Sequence, residues 1–198
     1  VLPIAALRAL RSLEEIDVSL NDAALPDEWL CAHSPLRRVA AAYSRTAVSV
    51  SCLSRMPRLQ YLDFERCSLV HGDVALLARA RTLQHVNLTH TAAHGDLWPL
   101  LLLSRVTFVN VAHSRARLGQ PPLSTPPASG VAAVDLSGVR IDLGADTVLR
   151  PLLASPRLIA LTAEGCFLRG TLPPVASSSL RRVRLRNNLI ERAAAALA

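Results

Sequence analysis

An apolar frame recurs about every 24 residues along the whole chain. Written L-x-x-L-x-L-x-x-N, with any apolar residue at the leucine sites, it fits at Leu13-Ile16-Val18-Asn21, Leu36-Val39-Ala41, Leu59-Leu62-Phe64-Cys67 and Leu83-Val86-Leu88. It fits again at Val106-Val109-Val111, Val131-Val134-Leu136, Leu158-Leu161-Ala163-Cys166 and Leu180-Val183-Leu185-Asn188. Successive first positions are 23, 23, 24, 23, 25, 27 and 22 residues apart, the differences between the residue numbers just given. Around the fourth and sixth sites apolar and polar residues alternate, which is the period of a short strand with one buried face. A lone strand of this length cannot hide that face. Stacked on the next copy at about 4.8 Å, the apolar rows merge into one core. Each buried Leu or Val then contributes about 1.5–3 kcal/mol relative to exposure.

Self-similarity at a period between about 20 and 29 residues is the mark of a leucine-rich-repeat solenoid. The expected fold class is therefore an α/β solenoid, a right-handed leucine-rich-repeat superhelix. It should carry a parallel concave β-sheet, with short helices, turns or extended segments on the convex side. Residues 1–198 read as a single domain of about eight repeats, excerpted from a longer chain, since no polar capping module is visible at either end. At the ninth site an Asn normally turns inward to satisfy backbone groups. Only Asn21 and Asn188 keep it, while Ser44, Cys67, Thr91, Ser114, Val139 and Cys166 take the other copies. Val139 has no side-chain donor, so the coil is expected to be least regular there.

Hydrophobic residues make up 51% of the chain and aromatics only 4%, so the core is aliphatic. No stretch reaches the roughly 18 uninterrupted apolar residues of a membrane span, and the run Leu97 to Leu103 belongs to a return segment. Net charge is +7, and all 22 basic residues are Arg. That bias follows from GC-rich coding or from selection for carboxylate and phosphate partners, which guanidinium binds bidentately. Cys67 and Cys166 fall at the ninth site as buried thiols. Cys31 and Cys52 fall on the return segments of adjacent copies, where geometry decides between a bridge and free thiols. Helical turns are expected at Trp29 to Ala32, Val74 to Ala80 and Thr147 to Ala154, with Pro57 and Pro156 closing two of the returns. Arg115 to Gly130, with two Pro-Pro pairs, excludes a helix and favours an extended return. The second reading there is a mobile loop with a phosphosite at Thr125.

Enzyme motifs are absent: no G-x-x-x-x-G-K, H-E-x-x-H, G-x-S-x-G or C-x-x-C occurs. No cofactor or metal site is expected. His90 and His113 share the eighth site of adjacent copies, but two stacked imidazoles without a fixed third donor read as a solvated rim. The concave face is the better candidate. Its third-site column runs Glu15, Arg38, Tyr61, His85, Phe108, Ala133, Ala160, Arg182, and its fifth-site column runs Asp17, Ala40, Asp63, Asn87, Asn110, Asp135, Thr162, Arg184. Tyr61, His85 and Phe108 beside Asp63, Asn87 and Asn110 form the candidate binding centre, an aromatic row along a polar row. Arg182, Arg184 and Arg186 give the same face a basic end, suited to an acidic protein partner. The sequon Asn87-Leu88-Thr89 reads as unoccupied.

The stretch Ser54 to Gly72 (SRMPRLQYLDFERCSLVHG), the stretch Gly165 to Pro174 (GCFLRGTLPP) and the opening Leu25-Pro26-Asp27-Glu28-Trp29 carry a resemblance. These repeats resemble those of the leucine-rich surface antigens of trypanosomatid parasites. The resemblance implies adhesion or contact with a host protein, and a cell-surface location; without it an intracellular location applies. The chain thus reads as a protein-interaction module and not an enzyme. The alternative is a basic RNA-contacting or structural subunit of a large intracellular complex.

Overall fold

A computed structural model describes residues 7, 9–22, 24–32, 35–122, 130–175 and 179–191. Its strands, in chain order, are β1 (Glu15–Asp17), β2 (Arg38–Ala40), β3 (Tyr61–Asp63), β4 (His71–Asp73), β5 (His85–Asn87), β6 (Ala92–Asp96) and β7 (Phe108–Asn110). There follow β8 (Arg115–Arg117), β9 (Ala133–Asp135), β10 (Ala160–Thr162), β11 (Arg169–Gly170), β12 (Arg182–Arg184) and β13 (Leu189–Ile190). Eight of them, in the order β1-β2-β3-β5-β7-β9-β10-β12, make one sheet. Every pairing is parallel and joins equivalent sites: Glu15 to Arg38, Arg38 to Tyr61, Tyr61 to His85, His85 to Phe108, Phe108 to Ala133, Ala133 to Ala160 and Ala160 to Arg182. A slip of one residue would turn the apolar set outward, so the frame fixes the register.

Behind this sheet the first, fourth and sixth sites fill the core. From Leu36 to Ala163 every one of them is buried, including Leu59, Leu62 and Phe64 in the third copy and Leu83, Val86 and Leu88 in the fourth. The returns are mixed. Helices span Asp27–Ala32, Val50–Leu53, Trp98–Leu101 and Ala145–Leu153, with a 3-10 helix at Val74–Arg79. The first and last of the four helices and the 3-10 segment stand where the sequence places helical turns. Ser49 and Asp73 start two of these segments by accepting from the Ser51 and Ala75 amides, as N-caps do. Among the described residues no helix is long and apolar enough to cross a membrane.

Extended returns are commoner than the one expected in the fifth copy. β4, β6 and β8 form a second parallel sheet, and single bridges continue it at Arg117–Arg140 and Gly144–Arg169. Coils pack tightly here. Gly95 has φ +100, and a Cβ on it would collide with the Asp73 carboxylate. The Asp96 carboxylate accepts from the amides of Trp98 and Gly119, each at 3.3 Å, and Trp98 Nε1 donates to Gly119 O at 2.7 Å. These contacts tie the proline-rich run to the coil before it. Thr125 lies outside the described residues. At Val139 the concave ladder runs on without a break through β9, and this second ladder thins to single bridges.

Cys31 and Cys52 are joined, with Cα atoms 5.0 Å apart, linking two successive returns. Cys67 and Cys166 are free and buried. Their thiols donate to the carbonyls of Ala41 and Leu136, both at 2.9 Å. Cys therefore stands in for Asn at the inner corner with one short bond and one longer sulfur contact, to Ser44 Oγ at 3.7 Å for Cys67 and to Glu164 O at 3.5 Å for Cys166, where Asn188 makes five.

Candidate functional site

Parallel pairing of equivalent sites sets the third-site side chains face to face. Tyr61 and His85 stack with ring centroids 4.3 Å apart at 11°. His85 and Phe108 stack at 4.2 Å and 5°. The Arg38 guanidinium covers the far face of Tyr61 at 3.7 Å from its centroid. The result is a four-layer column, Arg38-Tyr61-His85-Phe108, standing on the concave sheet with every member half-buried. Phe108 is thus no isolated exposed ring. Each aromatic contact contributes about 0.5–1.5 kcal/mol beyond area burial, and the guanidinium adds a cation–π term. Burial holds the His85 imidazole below its ordinary range; the Asp63 charge pulls it back up, and Arg38 pushes it further down. The net lowering favours the neutral imidazole as an uncharged layer between two rings. Arg38 is the member that sequence reasoning left out of the site, although it directly precedes Tyr61 in the column.

The fifth-site row also does structural work. Asp17, Asp63, Asn87, Asn110 and Asp135 each turn Oδ1 back to accept the backbone amide two residues on, at Ser19, Glu65, Thr89, Ala112 and Ser137, over 2.9–3.2 Å. These are Asx turns that close the strand exit. The Ser19 bonds hold the Asp17 carboxyl below its usual range. Asn87 is buried; its Oδ1 also accepts from Thr89 Oγ1 at 2.8 Å and its Nδ2 donates to Glu65 at 3.4 Å. The sequon's side chain is thus engaged within the coil. In the second and seventh copies, whose fifth sites Ala40 and Thr162 do not accept in this way, the previous coil substitutes. Ala42 N donates to Ser19 Oγ at 3.1 Å, and Glu164 N donates to Ser137 Oγ at 3.3 Å.

At the eighth site the chain turns through the left-handed region in every copy. Leu20, Tyr43, Arg66, His90, His113 and Asn187 have φ between 55 and 58, and Gly138 and Gly165 have φ 68 and 64. His90 and His113 stack at 4.7 Å and 16°. Burial, then the neighbouring His113 and Arg66, hold His90 below its ordinary range. The Tyr43 hydroxyl donates to Glu65 at 2.7 Å, which keeps its proton bound above the ordinary range. Among the described residues, three metal-type donors converge only at Asp27, Cys31 and Cys52, whose two sulfurs are joined to each other.

Arg182, Arg184 and Arg186 are exposed on and just beyond the last concave strand, with Arg181 beside them. The arginines lie apart from the aromatic column: β9 and β10 separate them from Phe108.

Parallel short strands, one core and an inner-corner ladder repeated coil by coil decide the architecture. The fold is a leucine-rich-repeat solenoid. No family model matches the chain, and no curated protein matches it. Solved structures do. The receptor kinase HAESA of Arabidopsis, in complex with the peptide hormone IDA and a co-receptor, superposes with TM-score 0.73 at 22% identity over 90% of this chain. Internalin C2 of Listeria monocytogenes gives 0.63 at 16% identity over 98% of this chain and 80% of its own. The ectodomain of the receptor kinase GASSHO1/SCHENGEN3 of Arabidopsis thaliana gives 0.59 at 18% over 92%. The chain spans about 30% of the length of the HAESA chains. At these identities the likeness is one of fold.

Proposed function

We propose that this chain is a protein-recognition module, not an enzyme, and that it binds a protein or peptide partner on its concave face. The column Arg38-Tyr61-His85-Phe108 carries the reading. Rigid stacked rings lose little conformational entropy when a partner settles on their edges, and buried aromatics dominate the energy of protein interfaces. Tyr61, His85 and Phe108 make the contact. Asp63, Asn87 and Asn110 frame it by fixing the strand exits, and Arg182, Arg184 and Arg186 attract acidic groups. HAESA and GASSHO1/SCHENGEN3, which share the fold, were solved with peptide or protein factors bound, which favours this use of the surface. An adhesive role at a cell surface is the form that the surface-antigen resemblance adds.

The test is selection of a displayed random peptide library against the folded chain, followed by titration of the selected peptides on Phe108→Ala. Binding should weaken by about 2 kcal/mol, roughly 30-fold, if Phe108 is a central anchor. Peptides that bind Phe108→Ala as tightly as the parent would refute the concave reading. Selection of nothing but polyanions, with affinity falling steeply with salt, would favour the nucleic-acid alternative instead.

A further inference from the structure

Outward-facing sites of the concave sheet carry opposite charge at its two ends. Glu14, Glu15 and Asp17 mark the first strand, and Arg181, Arg182, Arg184 and Arg186 mark the last; all seven are exposed. Arg37 engages Glu14 at 3.1 Å. Among the described residues no carboxylate pairs with the four arginines. Between the aromatic column and these arginines the third-site column drops to methyl groups. Ala133 sits beside Phe108, Ala160 beside Ala133, and Arg182 beside Ala160. The neighbouring second-site residues are Ala132 and Ile159, and Ile159 is 46% exposed. A shallow apolar recess two coils wide results, walled by the Phe108 ring on one side and Arg182 on the other.

Ring stacking continues through three successive coils at 4.2–4.3 Å and stops at Ala133, which has no ring to offer. A guest ring lying over Ala133 would occupy the next layer. From Ala133, where the guest ring would lie, Arg182 is two strand steps away, about 10 Å, and an extended chain covers that distance in about three residues. We propose that the occupant is an extended peptide crossing the strands, with an aromatic side chain in the Ala133–Ala160 recess against Phe108 and a cluster of Asp or Glu about three to four residues further on, held by Arg182 and Arg184. The proposal rests on the concave reading above and adds the partner's composition and spacing. Guanidinium groups take carboxylates bidentately. A nucleic acid fits the face less well. Its evenly spaced phosphates would meet Asp63, Asp135, Asp17 and Glu15 along the same surface, whereas an acidic cluster confined to one end of a peptide avoids them.

Fluorescence anisotropy tests this with labelled peptides carrying one Tyr, a Gly/Ser spacer of roughly one to eight residues and three Asp; a matched series carries three Lys in place of Asp. Affinity should peak at spacers of about two to four residues, and the Lys series should not bind. Ala160→Trp, which fills the recess, and Arg182→Glu combined with Arg184→Glu should each weaken the best peptide at least about tenfold. Circular dichroism should be unchanged, since these side chains lie outside the core. No binding by any Asp peptide, affinity independent of spacer length, equal binding of the Lys series, or variants that bind like the parent would each overturn the proposal. The two readings fail separately. If library-selected peptides depend on Phe108 but ignore Ala160→Trp and the arginine reversals, the concave site stands and the acidic-peptide assignment falls.

Discussion

Asn188 shows what the inner-corner ladder contributes where it is complete. Its Nδ2 donates to the carbonyls of Ala163 at 2.6 Å, Leu185 at 3.0 Å and Arg186 at 3.2 Å. Its Oδ1 accepts the amides of Cys166 at 3.0 Å and Leu168 at 3.1 Å. One side chain therefore clamps the seventh copy to the eighth. Asn188→Ala leaves the Cys166 and Leu168 amides, both on residues 0% exposed, without their acceptor. Each unsatisfied buried group costs about 1–3 kcal/mol. Relaxation and water entry at this corner offset part of that, so a local loss of about 2–3 kcal/mol is expected. Amide hydrogen exchange reads local opening directly, and the loss corresponds to exchange of those two amides faster by about 30- to 150-fold. Amides of β3 and β5, several coils away, should not change, because solenoid coils couple mainly to their neighbours. Unaltered protection at Cys166 and Leu168 would refute the clamp.

Four further outcomes follow from the same structure. Leu20 has φ 57 and is 78% exposed, so Leu20→Gly removes a left-handed penalty of about 1–2 kcal/mol at the cost of about 0.5–1 kcal/mol of chain entropy; thermal unfolding should shift slightly upward, and a fall would contradict the reasoning. Because His85 is held below its ordinary value of 6.5 by burial, its neutral form is favoured in the fold. That stability is fully present above pH 6.5 and is lost as pH falls through the lowered folded value; urea denaturation should show a shallower acid loss for His85→Gln. Reduction of the Cys31–Cys52 bridge, which spans a sequence separation of 21, should cost about 3 kcal/mol. Native Cys67 and Cys166 should resist alkylation throughout, as burial raises both thiols, Cys166 to about 11; mass spectrometry after iodoacetamide treatment counts the modified sulfurs.

The architecture was legible because burial of the fourth and sixth sites is a strong, repeated signal that also sets register, and so the third-site neighbours could be named residue by residue. The fifth-site row was expected to face outward as part of the site; the structure adds that its Asp and Asn side chains close the strand exits, and it buries Asn87. An Asp or Asn followed two residues later by a free amide is also Asx-turn grammar, and surface position alone does not distinguish the two. The left-handed eighth site left little trace, because Leu, Tyr, Arg and His there look like ordinary loop residues and only Gly138, Gly165 and Asn187 hint at it. The helix Val50–Leu53 had a signal that went unused, the Ser49 cap. The Cys31–Cys52 bridge depends on how two returns stack, which spacing alone does not determine.

The serine acceptors on Ser19 and Ser137 bear on how such a chain can be cut and rejoined. A coil with Ala or Thr at its fifth site borrows its turn-closing acceptor from the coil before it. The inheritable unit is then a pair of coils, not one. Removing the copy that holds Ser19, or inserting a new copy between Ser137 and Glu164, would orphan an amide that the remaining sequence cannot satisfy. Grafts, truncations and duplications of this solenoid should therefore be made at boundaries where both flanking copies close their own turns, such as between the third and fourth, where Asp63 and Asn87 each serve their own strand.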